Sequence, residues 1–420
     1  NAKGYTITNL SETAEYKSSI GSSQTRVLEV SNDYYSQKVY ITATPSFLKY
    51  AIGSGGDLHI NGSLLIDGQI YAKESLNISN NANYIYNNEN LTTKTELPAV
   101  EGAQTVTVDS KIISLCKSTS SCFETSNTGF TRSVSVWKDT VIPQEAVSHG
   151  SIAFNLVEED FIDVNLYQTF IDKLVVDNQF NKNEFSKDMS KQEIKEKLSA
   201  LYGKMEAGNR NFRIVESLSE VEDDPGRAET FYFEGDAKTE TNKLIIGDED
   251  WLIINGNAHF ENEGGEVLTI KGNILITGDV NITGNLNLSS VMYSLGDKAV
   301  LNNADINSGT ESSNSNPTFI FLTDGDLEIA KINKFDSVTG ESSVISGFIY
   351  TTKQADMYGV GSLIRIDGGI FSEGDLTLNG YRGEAEEDGS SDLKLSPVEA
   401  YTASRFRVVN NKQLFLDQMY

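Results

Sequence analysis

Ile270-Lys271-Gly272-Asn273-Ile274-Leu275, Ile276-Thr277-Gly278-Asp279-Val280-Asn281 and Ile282-Thr283-Gly284-Asn285-Leu286-Asn287-Leu288 run without a break through the middle of the chain. Apolar residues alternate with mostly polar ones, and glycine returns at every sixth position. A period of two is a strand period, because successive side chains leave a strand on opposite faces. Glycine every six residues removes a side chain where a strand bends or where neighbouring backbones come close. Short strands stacked coil upon coil satisfy both requirements, with Ile, Val and Leu filling an inner column that no single repeat can bury alone. An antiparallel meander with glycine-rich hairpins uses similar alternation and is the competing arrangement.

The same pattern recurs at Ile60–Ile70 and at Ile366–Gly380. Partial copies stand at Leu252–Asn257 and from Asp324 to Ile329. Upstream, Arg26–Val30 and Lys38–Ala43 predict two strands around an Asn32-Asp33 turn, and Pro45–Ile52 feeds the first repeat block. Residues 80–92 are rich in Asn, show no apolar period and predict an exposed loop. Alternation returns over 104–140, around the only two cysteines, Cys116 and Cys122. A disulfide could close that small loop on an exported protein; two separate thiols are the other reading.

Residues 156–205 break the strand pattern. Phe161, Val164, Tyr167 or Gln168, Ile171, Leu174 and Val175 follow helical spacing. In a second helix, Ser190 and Glu193 form a capping box, Ile194, Leu198, Leu201 and Tyr202 make one stripe, and Gly203 ends it. Two helices in a β chain predict an insertion packed on one side through these stripes. Polar stretches at Glu220–Arg227, Ser308–Pro317 and Glu384–Ser391 predict solvated loops. The expected fold is therefore mainly β, a β-solenoid or β-helix-like stack with a small inserted helical subdomain. Its segments are 1–55 (N-terminal β), 56–140 (first repeat block and cysteine loop), 141–210 (helical insertion), 211–310 (second block) and 311–420 (third block and C-terminal strands).

Composition excludes several functions. The chain has 420 residues, with 34 Lys+Arg against 60 Asp+Glu, a net charge of -26. Such a surface repels nucleic acid and an anionic membrane leaflet. No run of about 18 apolar residues is present to span a bilayer. The chain opens at Asn1-Ala2 without Met and reads as a mature or truncated form.

Only three histidines occur, His59, His149 and His259. His59 and His259 take polar alternate positions beside repeats, where an outward, solvated side chain is expected. Hexapeptide-repeat acyltransferases use a histidine between coils, but the unbroken run of hexads they need is missing. Acidic polysaccharide lyases need a basic group beside clustered Asp, whereas Arg365, Arg382 and Lys271 are scattered in the sequence. No nucleophile elbow, phosphate-binding loop or zinc-protease motif appears, and no catalytic residue is expected. One calcium candidate exists: Asp177, Gln179, Asn181, Asn183 and Asp188 alternate as in an EF-hand loop. It departs at position six (Lys182 for Gly) and position twelve (Asp188 for Glu). No other cofactor is expected.

The stretch Ser46–Ile52 followed by Gly55–Ala72 resembles a passage of large minor pilins, the PilX-like and K-type tip subunits of type IV pili, particularly of Gram-positive bacteria. In them a strand-rich segment leads into Gly-Asp/Asn repeats akin to the polymer-forming bactofilin pattern. The blocks at 270–288 and 366–380 look like the same module returning. The resemblance implies an extracellular, non-enzymatic structural protein on the cell surface, at or near the pilus tip, acting in assembly initiation or adhesion. Implied partners are other minor and major pilins, with a host or surface ligand as a further one. Membrane contact would come only through a hydrophobic N-terminal helix upstream of this sequence. A stand-alone surface β-solenoid adhesin that binds glycan or protein is the alternative, with a β-helix carbohydrate-active enzyme behind it.

Overall fold

The computed structural model describes residues 25–32, 35–42, 49–87, 89–116, 123–125, 131–133, 143–156, 166, 171, 185, 189–205, 212–221, 230–239, 243–246, 250–262, 267–307, 319–330, 344–387 and 393–411. The repeat blocks form parallel, not antiparallel, ladders. Leu268–Ile276 pairs with Leu286–Ser294 at an offset of 18 residues, so three hexads make one coil. Val280–Ser294 is one continuous strand that serves three faces of the stack. It bends at Gly284 (φ +93°), as Leu268–Ile276 bends at Gly272 (φ +115°). Both values lie in the left-handed region that glycine enters without a Cβ penalty.

Three columns of strands result. One runs through Phe212–Ile214, Thr230–Glu234, Trp251–Asn255, 273–276, 291–294, Phe319–Thr323, 347–351, 368–372, 52–54, 70–72 and 106–108. At about 4.8 Å per step these eleven strands span roughly 50 Å. A second column starts at Ala237–Lys238 and ends at Ile112–Cys116. The third includes 364–367, Phe406–Val409, Leu65–Asp67, 99–100 and His149.

The order of the coils is not the order of the chain. Residues 212–380 climb the stack, and the N-terminal coils sit on top of the last of them. Ile370–Ser372 pairs with Ile52–Ser54, and Leu376–Gly380 pairs with Leu58–Gly62. On the third column the late strand Phe406–Val409 lies between Ile364–Asp367 and Leu65–Asp67. The chain therefore leaves the upper end after His149–Asn155 and re-enters at the lower end with Phe212–Ile214. Of the residues between these two points, Leu166, Ile171, Phe185 and the helix Lys191–Met205 form a strap against the side of the stack.

The strap explains why the first column lacks alternation. Inside, Ile52, Ile70, Leu252, Ile254, Ile274, Ile276, Met292, Phe321, Ile349 and Ile370 belong to the main core. Outside, Tyr50, Tyr71, Tyr232, Trp251, Ile253, Leu275, Tyr293, Phe348, Tyr350 and Phe371 form a second apolar layer with Leu166, Ile171, Phe185, Ile194 and Leu198 of the return segment. Strands buried on both faces are apolar throughout. The buried tyrosines direct their hydroxyls to carboxylates: Tyr71 to Asp109 (2.7 Å), Tyr232 to Glu234 (2.5 Å) and Tyr350 to Glu373. On the strap, Ser190 N–H donates to Glu193 Oε2 (2.8 Å) and Glu193 N–H to Ser190 Oγ (3.3 Å), so the capping box forms. The helix Lys191–Met205 passes through Gly203 instead of ending there. Its last turn tolerates that glycine at a cost of about 1 kcal/mol.

Both ends of the core are closed. Ala146 and Val147 cover the upper coil, the first of them from the short helix Pro143–Ala146. Val215, Leu218 and Val221 close the lower one around the turn Leu218–Glu220. The strands Thr25–Asn32 and Tyr35–Thr42 pair antiparallel, as the sequence predicts. Two expected loops are hairpins instead. Asn81–Tyr86 pairs with Glu89–Lys94, and Gly383–Glu387 pairs with Leu393–Pro397. In the first, buried Asn side chains take the place of an apolar period: Thr92 donates to Asn83 Oδ1 (3.0 Å) and Asn83 N–H to Asn379 Oδ1 (3.0 Å). Residues 222–227 and 308–317, from the other two polar stretches, lie outside the described residues, as do 134–140.

Candidate functional site

The second column presents an open groove near the lower end of the stack. It has a volume of about 440 Å³ and is lined by Asp236, Lys238, Asn257, His259, Asp279, Asn281, Lys298 and Val300, among others. The parallel register builds it, because Lys238, His259 and Asn281 are partners on successive strands and repeat the same outward position. One rim is a ladder at the corner between the first two columns. Asp236 Oδ1 accepts Asn257 N–H (2.9 Å), Asn257 Oδ1 accepts Asp279 N–H (2.8 Å), and Asp279 Oδ1 accepts Asp297 N–H (2.8 Å) and Lys298 N–H (3.0 Å). Each coil thus hands a side-chain acceptor to a corner amide of the next.

Across the floor the charges are balanced. Lys238 Nζ lies 3.1 Å from Glu261 Oε2, His259 Nε2 lies 3.4 Å from the same oxygen, and Lys298 Nζ lies 3.4 Å from Glu328. Thr283 Oγ1 is 3.5 Å from His259 Nε2. Threonine and glutamate approach the same ring nitrogen. A histidine that relays a proton from a hydroxyl to a carboxylate uses its two nitrogens separately, and this arrangement does not. The groove instead offers paired hydrogen-bond donors and acceptors along an extended line, suited to a ligand rich in hydroxyls or amides.

The other residues singled out in the sequence are dispersed. His259 faces outward, as expected. His59 also points away from the core, in register with Thr377 and Asn77, but it is buried. The strand Thr131–Ser133 lies against Leu58–Gly62 and Ser75–Ser79, the strands that carry His59 and Asn77. His149 stacks on Tyr401, with ring centroids 3.6 Å apart and planes at 7°. Lys271 stands apart, between Ile245 and Ser289. Arg365, in contrast, is in register with Arg407, so the scatter of arginines along the sequence does not carry over into space. Asp324 Oδ1 accepts from Thr352 Oγ1 (2.6 Å) at a turn.

Cys116 is buried at the end of Ile112–Cys116, while Cys122 lies outside the described residues. The calcium candidates Asp177, Gln179, Asn181, Asn183 and Asp188 also lie outside them. Among the described residues no group of three His, Cys, Asp or Glu side chains could hold a metal ion. Likewise, no described helix is long and apolar enough to cross a membrane.

No protein-family model, curated protein or solved structure matches the chain.

Proposed function

We propose that the chain is the extracellular, non-enzymatic part of a large minor pilin that acts at or near the tip of a type IV pilus. The bulk of the stack carries this reading: a rigid body roughly 50 Å long would collide with its neighbours at every helical step of a thin filament. A single copy at the tip meets no such clash and can initiate assembly or present its faces outward. An upstream hydrophobic helix would supply attachment, other minor pilins would be neighbours, and a Cys116–Cys122 disulfide would suit the oxidising exterior. The test mixes this chain with soluble domains of minor pilins from the same source. A discrete heteromeric complex in size exclusion is expected; a chain that stays alone with all of them at micromolar concentration contradicts the reading.

The groove favours a second reading, a surface adhesin that binds a glycan. Its paired Lys238, His259 and Glu261 side chains and the neighbouring Asn257–Asp279 ladder repeat along the stack axis. That matches the repeat of an extended polymer better than a small substrate. Glycan-array binding that is lost in Asn281→Ala would support it, and an empty array would count against it.

A further inference from the structure

The third column gathers four arginines in a chain of net charge -26. Arg365 and Arg407 are register partners on adjacent parallel strands and face outward, between Ile364 and Ile366 and between Phe406 and Val408, which are all buried. Arg405 is fully buried, with its Nε on Ser362 O (3.2 Å). Arg382 is 5% exposed and donates to Ser148 Oγ (2.5 Å) and Leu97 O (3.4 Å).

Among the described residues, Glu96 faces Arg382 and Glu101 faces Arg407. Arg407 reaches Glu101 at 3.7 Å, and among the described residues its buried Nε has no acceptor, nor has the Nε of Arg382. Arg365 donates to the carbonyl of Ser404 (2.5 Å) and forms no ion pair among the described residues. Asp367, two positions along the same strand, accepts instead from Asn411 (3.0 Å). Burial, then the charges of Arg407 and Arg405, pushes the Arg365 guanidinium down to about 10. Like charges stacked on neighbouring strands repel, and guanidinium groups offer five donors in a fixed fork that suits carboxylate and phosphate.

We propose that Arg365 and Arg407 form a receptor for a single oxyanion, a carboxylate or phosphate group of a ligand from outside the chain, with Arg405 reinforcing the positive potential behind them. The acidic surface repels a polyanion at long range, so the receptor takes one isolated group. Stacked His149 and Tyr401 lie on the same side of the stack: Tyr401 begins the turn that leads to Ser404, and His149 continues the column above Ala99. This inference is independent of the pilin reading.

Calorimetric titration of the whole chain at low ionic strength tests it, with inorganic phosphate and glucuronate as separate probes. Saturable binding of at least one is expected, and which one binds identifies the oxyanion. Arg407→Gln and Arg365→Gln should each weaken it about tenfold or more, the scale of a charge-assisted hydrogen bond. Arg407→Gln is the safer variant, since its side chain is 38% exposed. Glu101→Gln should strengthen binding by freeing Arg407, while Lys73→Gln, which removes the same charge as the arginine variants, should leave it unchanged. No saturable binding of either probe at millimolar concentration overturns the proposal, as does binding that survives both arginine substitutions.

Discussion

Coils that follow one another in the chain and coils that meet at the junction are held differently. In the lower stack, Trp251–Asn255, 273–276 and 291–294 succeed each other after about twenty residues, and an apolar core and the aromatic outer face are joined by the corner ladder through Asp236, Asn257 and Asp279. At the junction the partners are 318 residues apart. By loop entropy alone that closure costs roughly 2–3 kcal/mol more than an 18-residue one. Side-chain hydrogen bonds bridge this gap as well. Asp57 N–H donates to Asp375 Oδ1 (2.9 Å), Ser54 Oγ to Gly374 O (2.8 Å), Asn61 Nδ2 to Asn379 Oδ1 (3.2 Å) and Ser404 Oγ to Ser63 O (2.6 Å). Each contributes about 1 kcal/mol, enough in sum to offset the longer closure. The Asn81–Lys94 hairpin adds a clamp, packing Ala82 against Val360 and Tyr381. Both kinds of neighbour combine shape with side-chain hydrogen bonds, and those at the junction also offset the longer closure.

The largest expected effect belongs to the strapped face. Trp251→Ala empties a fully buried site and should lower stability by about 3–5 kcal/mol in urea unfolding. Next come two glycines that separate the regions. A Cβ on Gly55 would lie 2.4 Å from the carbonyl oxygen of Glu373, and one on Gly296 would lie 2.3 Å from that of Gly278. Alanine at either should cost about 1–3 kcal/mol, with different footprints in hydrogen exchange. Gly55→Ala should release amides of 50–116 while 251–294 stay protected, and Gly296→Ala should loosen the lower coils. Identical footprints would dissolve the distinction between the regions.

Smaller differences sharpen it. Asp279→Ala strands two amide donors and should cost about 2 kcal/mol, against about 1 kcal/mol for Asp375→Ala, which strands one. Ser190→Ala removes the strap helix cap, at about 1 kcal/mol. The smallest effect is acidic. The Lys191 hydrogen bond and charge hold the Asp297 carboxyl below its usual range, and the Ser190 amide and hydroxyl do so for Glu193. Carboxyls with lowered values contribute above their ordinary pKa and lose that contribution as pH falls through the lowered one. Below about pH 4 the strap helix should therefore lose protection before the coils, seen as hydrogen exchange within 191–205; loss of the coils first would contradict this.

The coils themselves were legible in the sequence: the Gly272, Gly278 and Gly284 spacing predicts bends and close approaches, and both occur. The Ser190–Glu193 cap was legible because it is local. The strapped face left a readable sign, since Trp251–Ile254 and Phe319–Leu322 are apolar without alternation, which marks burial on both sides. The junction left none, because a six-residue period fits any like coil upon any other and does not encode their order. The arginine group was illegible for a related reason. Arg365, Arg382, Arg405 and Arg407 share no local pattern, and only the parallel register brings Arg365 and Arg407 side by side. The histidines misled in part, since His59 is outward but buried.

The coil order is the central claim, and lysine cross-linking with mass spectrometry tests it most directly. Lys353 and Lys73 are both exposed and sit at the same corner, linked by the successive contacts Gly374 N–H to Lys353 O, Gly56 N–H to Gly374 O and Glu74 N–H to Gly56 O. Three steps separate them, roughly 14 Å, within reach of a common lysine-reactive reagent. The predicted result is an intramolecular Lys73–Lys353 link as abundant as Lys238–Lys298 across the groove. Absence of the first link while the second forms, or its appearance only between differently labelled chains, would contradict the stacking of the N-terminal coils on the C-terminal ones.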